Sequence, residues 1–139
     1  MFRLYLSYPQ TAEELMTQKR HVWQKQFNVL PIYTNGIAKI SYGNTQPHKK
    51  RQELALTNLS DWFVRMNNAD ALFLLADHMI SRQGLELQYA WDNNKQIYTL
   101  AEDLEVRRNP FIILYSDEIF TRIEHFEGRL AGLVGFNDS

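Results

Sequence analysis

The sequence predicts an α/β domain with an open, mostly parallel sheet of five strands and helices on both faces. Short segments rich in strand-forming residues alternate along the chain with longer segments of helical periodicity. The run ADALFLLA at 69–76 is continuously apolar, which is typical of a strand buried on both faces of a parallel sheet. The chain of 139 residues is long enough for one domain, which we expect to span 1–139.

The first strand and helix are predicted near the amino end of the sequence. FRLYLS at 2–7 alternates in polarity and is rich in strand formers, and Pro9 ends the strand. A helix is expected from Thr11 to about residue 27. Thr11 and Glu14 have the spacing of a capping box, in which each side chain satisfies a backbone N–H group of the first turn.

The next segments predict a strand, a loop and a second helix. NVLPIYT at 28–34 favours a strand, and Pro31 within it indicates an edge position because proline donates no ladder hydrogen bond. Residues 34–48 are rich in glycine, asparagine and proline, which predicts a long loop. A helix is expected over 49–67, and its predicted buried face comprises Ala55, Leu59, Trp62, Phe63 and Met66.

The second half of the sequence continues the alternation. After the strand at 69–76 we expect a loop at 77–83, a helix at 84–94 and a strand at 96–100. FIILY at 111–115 reads as the fifth strand, 117–131 as the last helix, and GLVGFNDS as a tail. This order of elements is that of flavodoxin-like and Rossmann-like sheets, which bind ligands at the carboxyl ends of their strands.

Several side chains are predicted at that ligand-binding edge. Ser7 and Tyr8 end the first strand, and Tyr8 lies beside Pro9. An aromatic ring at this edge can stack on a planar base, although most tyrosines in such a domain are half-buried packing residues. The tyrosines expected near the edge are Tyr5, Tyr8, Tyr33 and Tyr42.

Glu86 is the most informative acidic residue in RQGLELQYAWDNNKQIYTL. If the helix begins at Gly84, Glu86 lies in its first turn, where the helix dipole stabilises a carboxylate by about 0.3–1 kcal/mol. An ionised carboxylate in a fixed position is what covalent attack on a sugar carbon requires. A glutamate in a first turn is also common for helix stability alone, so position by itself leaves both interpretations open.

The stretch ADALFLLADHMISRQGLELQYAWDNNKQIY resembles the core of the nucleoside 2-deoxyribosyltransferase-like family. The residues that match the family pattern are Asp61, Ala69, Asp70, the strand 72–75, Gly84, Leu85, Glu86, Leu87, Ala90 and Lys95. The resemblance implies that Glu86 is the nucleophile that attacks the anomeric carbon of a nucleoside. The sequence departs from the pattern at Gln88, where the family often has glycine, and at Arg82 and Gln83, near which it often has aspartate.

Asn58, Asp61 and Arg65 lie on one face of the helix predicted at 49–67, because they are three and four residues apart. The resemblance implies that Asp61 orients the ligand or assists the leaving base, while an exposed Asp61–Arg65 pair is the structural alternative. The basic run at 48–51 opens the same helix and favours either phosphate binding or a solvated surface.

The sequence supports three readings of function. The first is an enzyme that cleaves or transfers at the N-glycosidic bond of a nucleoside or nucleotide, with Glu86 and Asp61 as catalytic residues and Ser7, Tyr8, Tyr5, Asn58 and Gly84 binding the substrate. The second is a Toll/interleukin-receptor-like domain that cleaves nicotinamide dinucleotide, because LYLSY resembles the first strand of that family. The third is a protein on the same fold that binds nucleotides without turnover.

Composition narrows the expected partners. The net charge of −1 gives no reason to expect a nucleic acid polymer, and no apolar stretch is long enough to cross a membrane.

The absence of cysteine excludes thiolate chemistry and, together with the absence of a signal peptide, favours the cytoplasm. The four histidines have no metal-ligand spacing, and no metal or organic cofactor is expected. High aromatic content and the tail favour a homo-oligomer.

Overall fold

A computed structural model describes the backbone of residues 1–32, 47–77 and 81–137, and the side chains of these residues except 81, 82, 136 and 137. The strands are β1 (Phe2–Ser7), β2 (Val29–Ile32), β3 (Ala71–Leu75), β4 (Gln96–Leu100) and β5 (Glu118–Phe120). The helices are α1 (Glu13–Phe27), α2 (His48–Asn67), α3 (Ser81–Asp92), α4 (Leu104–Arg107), α5 (Pro110–Tyr115) and α6 (Ile123–Asn137).

The five strands form one sheet in the order β2-β1-β3-β4-β5, and every pair of neighbours is parallel. The predicted open α/β sheet is therefore confirmed, with the strand order of flavodoxin-like proteins. The direction of strand addition reverses at β1, which pairs with β2 on one side and β3 on the other. β2 is an edge strand, as Pro31 predicted.

Two apolar layers enclose the sheet. Leu4 and Leu6 of β1 pack with Trp23 of α1 and Phe126 of α6 on one face. The opposite face of the sheet packs against α2, α3, α4 and α5, and Leu72 of β3 lies in that layer. Because side chains alternate along a strand, Tyr5 and Ser7 belong to the face covered by α3.

Two aspartates fix the amino ends of neighbouring strands. Asp70, just before β3, accepts a hydrogen bond from the Arg3 backbone N–H (2.7 Å), and its own N–H donates to the Arg3 carbonyl (2.8 Å). Asp117, just before β5, repeats both bonds with Ile97 of β4 (2.7 and 2.9 Å). The side chain at each position therefore extends the ladder past the end of the strand.

Lys95 secures the same amino edge of the sheet from the side of α2. Its Nζ donates to the backbone carbonyls of Asn67 and Ala69 at 2.9 and 2.8 Å. Asn67 is the last residue of α2 and Ala69 follows it, and cations stabilise the unpaired carbonyl groups at such a helix end. Lys95 thus joins the end of α2 to the start of β4.

The prediction of a fifth strand at 111–115 is wrong. Residues 110–115 form α5, because Pro110 occupies the first helical turn and Asn109 accepts a hydrogen bond from the Phe111 N–H at 2.9 Å. The apolar run that suggested a strand is largely on the surface: Phe111, Ile113 and Leu114 are 57–60% exposed. The true fifth strand, β5, lies within the segment predicted as the last helix.

The other boundaries differ by smaller amounts. α6 begins at Ile123 and reaches Asn137, so most of the predicted tail is helical. The predicted capping box at Thr11 is also wrong, because a 3₁₀ turn at Gln10–Ala12 precedes α1 and Ala12 is the N-cap of α1.

Two predicted loops lie wholly or partly outside the described residues. They are the loop at 34–48, with Tyr33 and Tyr42 near it, and residues 78–80 of the loop at 77–83. Within the described ranges no helix has the length and apolar character needed to cross a membrane.

Candidate active site

Glu86 lies in the second turn of α3, not in the first. The helix begins at Ser81, three residues before the predicted start, so the first turn contains no acidic residue. The argument from the helix dipole was therefore wrong for Glu86, because the dipole acts mainly within the first turn. The position of this carboxylate needs a different physical explanation.

That explanation is a buried hydrogen bond to the end of β1. The Ser7 Oγ donates to the Glu86 Oε1 at 2.8 Å, and the two residues are 2% and 1% exposed. A carboxyl group at this depth is unfavourable without polar partners. Ser7 is paired in register with Leu74 of β3, so the bond lies at the point where strand order reverses. This is where flavodoxin-like sheets bind their ligands.

Gln83 joins the same site and was not predicted from the sequence. It is 1% exposed, and its Nε2 donates to the Leu75 carbonyl at 3.0 Å, where β3 ends. Gln83 and Glu86 are three residues apart on α3 and so share a face. The only signal in the sequence was this spacing, and glutamine at such a position is also common on exposed helix faces.

The predicted substrate-binding residues of β1 separate onto two faces of the sheet. Tyr5 is buried with the α3 layer, the same face as Ser7. Tyr8 is also buried, but it packs in the layer formed by α1 and α6. Gly84 lies in the first turn of α3 and is half-buried. Ser7, Tyr5 and Gly84 therefore lie on the side of Glu86, whereas the ring of Tyr8 lies on the other.

The predicted residues of α2 lie beside α3 at a similar height. Phe63 of α2 stacks on Tyr89 of α3 with 4.8 Å between ring centroids, which sets the register of the two helices. Asp61 and Glu86 precede those rings by two and three residues, about 3–4.5 Å along the axis. Asn58, further toward the carboxyl edge, is 4% exposed, whereas Asp61 is exposed.

The predicted buried face of α2 is confirmed only in part. Met66 is buried, and the other four members, Ala55, Leu59, Trp62 and Phe63, are half-buried. Of the basic run that opens α2, the first three residues are exposed and Arg51 is half-buried.

A cavity of about 270 Å³ opens at the carboxyl edge, beside the Leu75 that Gln83 contacts. Small-molecule sites in proteins have volumes of about 300–1,000 Å³, so this cavity is slightly smaller than that range. Its wall is acidic and apolar, and the lining residues are Pro9, Thr11, Ala12, Leu75, Ala76, Asp77, Glu102 and Asp103. Among the described residues, no three His, Asp or Glu side chains converge to form a metal site.

Comparison with solved structures identifies proteins of the same fold. A conserved protein from Enterococcus faecalis V583 matches with a TM-score of 0.62 and 14% identity, over 94% of this chain and 97% of its own. A 2-deoxyribosyltransferase from Bacillus psychrosaccharolyticus matches with a TM-score of 0.62 and 13% identity, over 90% of both chains. The flavoenzyme FerB from Paracoccus denitrificans, an NAD(P)H:acceptor oxidoreductase, has a TM-score of 0.50 and 10% identity, over 96% of this chain and 92% of its own.

These matches define the class of fold. No protein-family model and no curated protein matches the sequence. The chain has a nucleoside 2-deoxyribosyltransferase-like fold, which confirms the structural side of the resemblance seen in the sequence. At 13–14% identity the likeness extends to the fold alone.

The hydrogen bond between Ser7 and Glu86 predicts different effects of two substitutions on the free energy of unfolding. We expect Ser7→Ala to lower the free energy of unfolding by about 1–3 kcal/mol, because it removes a donor to a buried carboxyl group. Glu86→Gln should leave stability unchanged or raise it, because the amide oxygen still accepts from Ser7 and the buried acid is removed. Equilibrium urea denaturation measures both changes.

Ser60→Ala is the matched control, because Ser60 is exposed on α2. The control should unfold at the urea concentration of the unmodified protein or slightly above it. If Ser7→Ala behaves like Ser60→Ala, the hydrogen bond does not stabilise the fold.

Proposed function

We propose that the protein cleaves or transfers at the N-glycosidic bond of a nucleoside or nucleotide, with Glu86 as the nucleophile. The observation that carries the proposal is a carboxyl group 1% exposed and held by Ser7 at the strand-order reversal of the sheet. A shared fold with a 2-deoxyribosyltransferase supports a nucleoside as the ligand. Burial favours a functional role, because an apolar residue would fill this position at lower energetic cost.

The first step forms a covalent ester. A carboxylate oxygen of Glu86 attacks C1′ of the sugar while the bond from C1′ to the base nitrogen breaks. The electron pair of that bond leaves with the base, which takes up a proton. For this step the attacking oxygen must lie about 3–3.5 Å from C1′, and the fixed position of Glu86 reduces the entropy lost in reaching that geometry.

The second step releases the sugar from Glu86. Water attacks C1′ and loses a proton to give the free sugar, or a second base attacks through its nitrogen to give a new nucleoside. In both cases the carboxylate of Glu86 is regenerated. Two displacements at the same carbon retain the configuration of C1′.

The remaining predicted residues have supporting roles in this proposal. Asp61 orients the ligand or assists protonation of the leaving base, and its exposure leaves it accessible to a bound base. In this proposal Ser7 holds Glu86 in position. Tyr5, Asn58 and Gly84 are proposed to bind the substrate from the same side of the sheet. Tyr8 acts from the opposite layer, by shaping the end of β1.

Base release from a panel of substrates tests the proposed function. The unmodified protein and Glu86→Gln are incubated with deoxynucleosides, ribonucleosides, their 5′-monophosphates and nicotinamide dinucleotide, and free base is measured by chromatography. We expect the unmodified protein to release base and Glu86→Gln to be slower by at least about 10³-fold, because an amide is not a nucleophile.

The other outcomes separate the remaining readings. Release from nicotinamide dinucleotide alone would favour the Toll/interleukin-receptor-like reading over the nucleoside reading. An absence of release, together with thermal stabilisation by one member of the panel, would replace the enzyme with a protein that only binds nucleotides. Equal release by Glu86→Gln would exclude Glu86 as the nucleophile.

We also propose that the protein forms a homo-oligomer through α5 and the adjoining part of α3. Phe111 and Leu114 of α5 and Trp91 of α3 are 48–60% exposed. Tyr115 connects these helices, because its ring contacts the rings of Trp91 and Phe111 at 5.2 and 6.3 Å between centroids. Large apolar side chains exposed next to one another are typical of association surfaces.

Sedimentation equilibrium tests this assembly. We expect the unmodified protein to sediment as an oligomer and Leu114→Ser with Phe111→Ser to shift it toward the monomer, because both changes remove apolar area from the surface. Leu56→Ser is the control, because Leu56 is 67% exposed but lies on α2. A monomeric unmodified protein at micromolar concentration would contradict the proposal.

A further inference from the structure

The amide of Gln83 is a buried polar group that the proposed mechanism leaves without a role. Its Nε2 donates to the Leu75 carbonyl, so its Oε1 is the atom left to accept a hydrogen bond. That oxygen is buried and meets no donor within the described part of the chain. A buried acceptor without a donor destabilises a protein, so such a group in a native protein calls for an explanation, and a hydrogen bond to a ligand is one.

Gln83 lies one helical turn from Glu86 and contacts the neighbouring strand. The Cβ atoms of residues three apart on a helix face are about 5–6 Å from each other. Glu86 reaches Ser7 at the end of β1, while Gln83 reaches Leu75 at the end of β3. The two strands are adjacent, and Ser7 is paired with Leu74, the residue before Leu75. The amide and the carboxyl group therefore extend from one face of α3 to the carboxyl ends of two neighbouring strands, where the strand order reverses.

We propose that the Oε1 of Gln83 accepts a hydrogen bond from the 2′-hydroxyl of a bound ribonucleoside, so that the site selects ribonucleosides over 2′-deoxyribonucleosides. This inference rests on the proposed function, because it takes Glu86 as the group that attacks C1′. The 2′-hydroxyl is attached to the carbon next to C1′, which makes it the sugar hydroxyl nearest to the reacting atom. An acceptor one helical turn from the nucleophile is in the position to meet it.

The hydrogen bond between the Gln83 Oε1 and the 2′-hydroxyl would favour ribonucleosides over 2′-deoxyribonucleosides. A 2′-deoxyribonucleoside leaves the Gln83 oxygen buried and without a donor, whereas a ribonucleoside supplies one. Sites with a buried group for a substrate hydroxyl discriminate strongly against the analogue that lacks it. From the loss of one such hydrogen bond we expect roughly a 10–100-fold preference for the ribonucleoside.

The preference is measured as the ratio of kcat/KM for a ribonucleoside and a 2′-deoxyribonucleoside of the same base. Gln83→Met keeps the length of the side chain and removes the acceptor. In this variant the ratio should fall to about one, because the ribonucleoside loses its hydrogen bond and the 2′-deoxyribonucleoside no longer leaves a buried acceptor without a donor. Gln88→Met is the matched control, because Gln88 is an exposed glutamine on the same helix, and its ratio should equal that of the unmodified protein.

A binding series tests the same contact without a substitution at Gln83. The dissociation constants of a ribonucleoside, its 2′-fluoro-2′-deoxy analogue and its 2′-deoxy analogue are measured on Glu86→Gln, in which turnover is removed. Fluorine can accept a hydrogen bond but cannot donate one, so only the ribonucleoside should bind tightly. Equal dissociation constants for the three compounds would overturn the proposal, as would tighter binding of the 2′-deoxy compound.

The outcomes distinguish this inference from the proposed function. Base release at equal kcat/KM from both sugars overturns the contact with Gln83 and leaves Glu86 as the nucleophile. A complete absence of base release overturns the proposed function, and the binding series then decides the contact by itself. A ratio that Gln83→Met does not change also overturns the contact, provided that its melting temperature shows a folded variant.

Discussion

The hydrogen bond between Ser7 and Glu86 is the interaction on which the candidate site depends. It joins the end of β1 to the second turn of α3, and both partners are almost fully buried. The strand order makes this bond possible, because β1 lies between β2 and β3 and its carboxyl end faces the helix that follows β3. Burial and the hydrogen bond to Ser7 together restrict the position of the Glu86 carboxyl group. Fixed position is what a nucleophile requires before it meets a sugar carbon.

The sequence motif that resembles deoxyribosyltransferases divides into two parts in the structure. Asp70 and Lys95 lie at the amino edge of the sheet, where they bind backbone groups of β1 and of the end of α2. Glu86 lies near the carboxyl edge, about 9 Å along α3 from Asp92 by the rise of an α-helix. Asp70 and Lys95 therefore account for the shared fold, and they give no evidence about a reaction. Only the second part carries the functional argument.

The sequence predicted the centre of the sheet well and its far edge poorly. The strand at 69–76 was recognised because burial on both faces leaves a continuous apolar signal, and the strand predicted at 96–100 is also confirmed. The same signal failed for FIILY, since an apolar run of that length does not distinguish a strand from a helix. The residues that decided the outcome were Asn109, the N-cap of α5, Pro110, its first residue, and Asp117, just before β5.

Glu86 was predicted as a site residue from its position in a helix and from the family resemblance, and the argument from position did not hold. The expected first turn would have explained the carboxylate by the helix dipole, whereas the earlier start of α3 removes that explanation. The partner of Glu86 lies 79 residues away in the sequence, and no local pattern reports such a contact. Gln83 was not predicted for the same reason, because its amide is buried against the end of β3 and the local sequence does not show this contact. Long-range burial, rather than spacing, defines these groups.

The measurement that tests the central claim most directly is the detection of a sugar covalently attached to Glu86. The protein is mixed with a reactive nucleoside, quenched with acid while turnover proceeds, digested and mapped by mass spectrometry. The account predicts a peptide containing Glu86 that is heavier by one sugar residue, and no such peptide from Glu86→Gln. Base release without any adduct, or an adduct on a different residue, would contradict the assignment of Glu86 as the nucleophile.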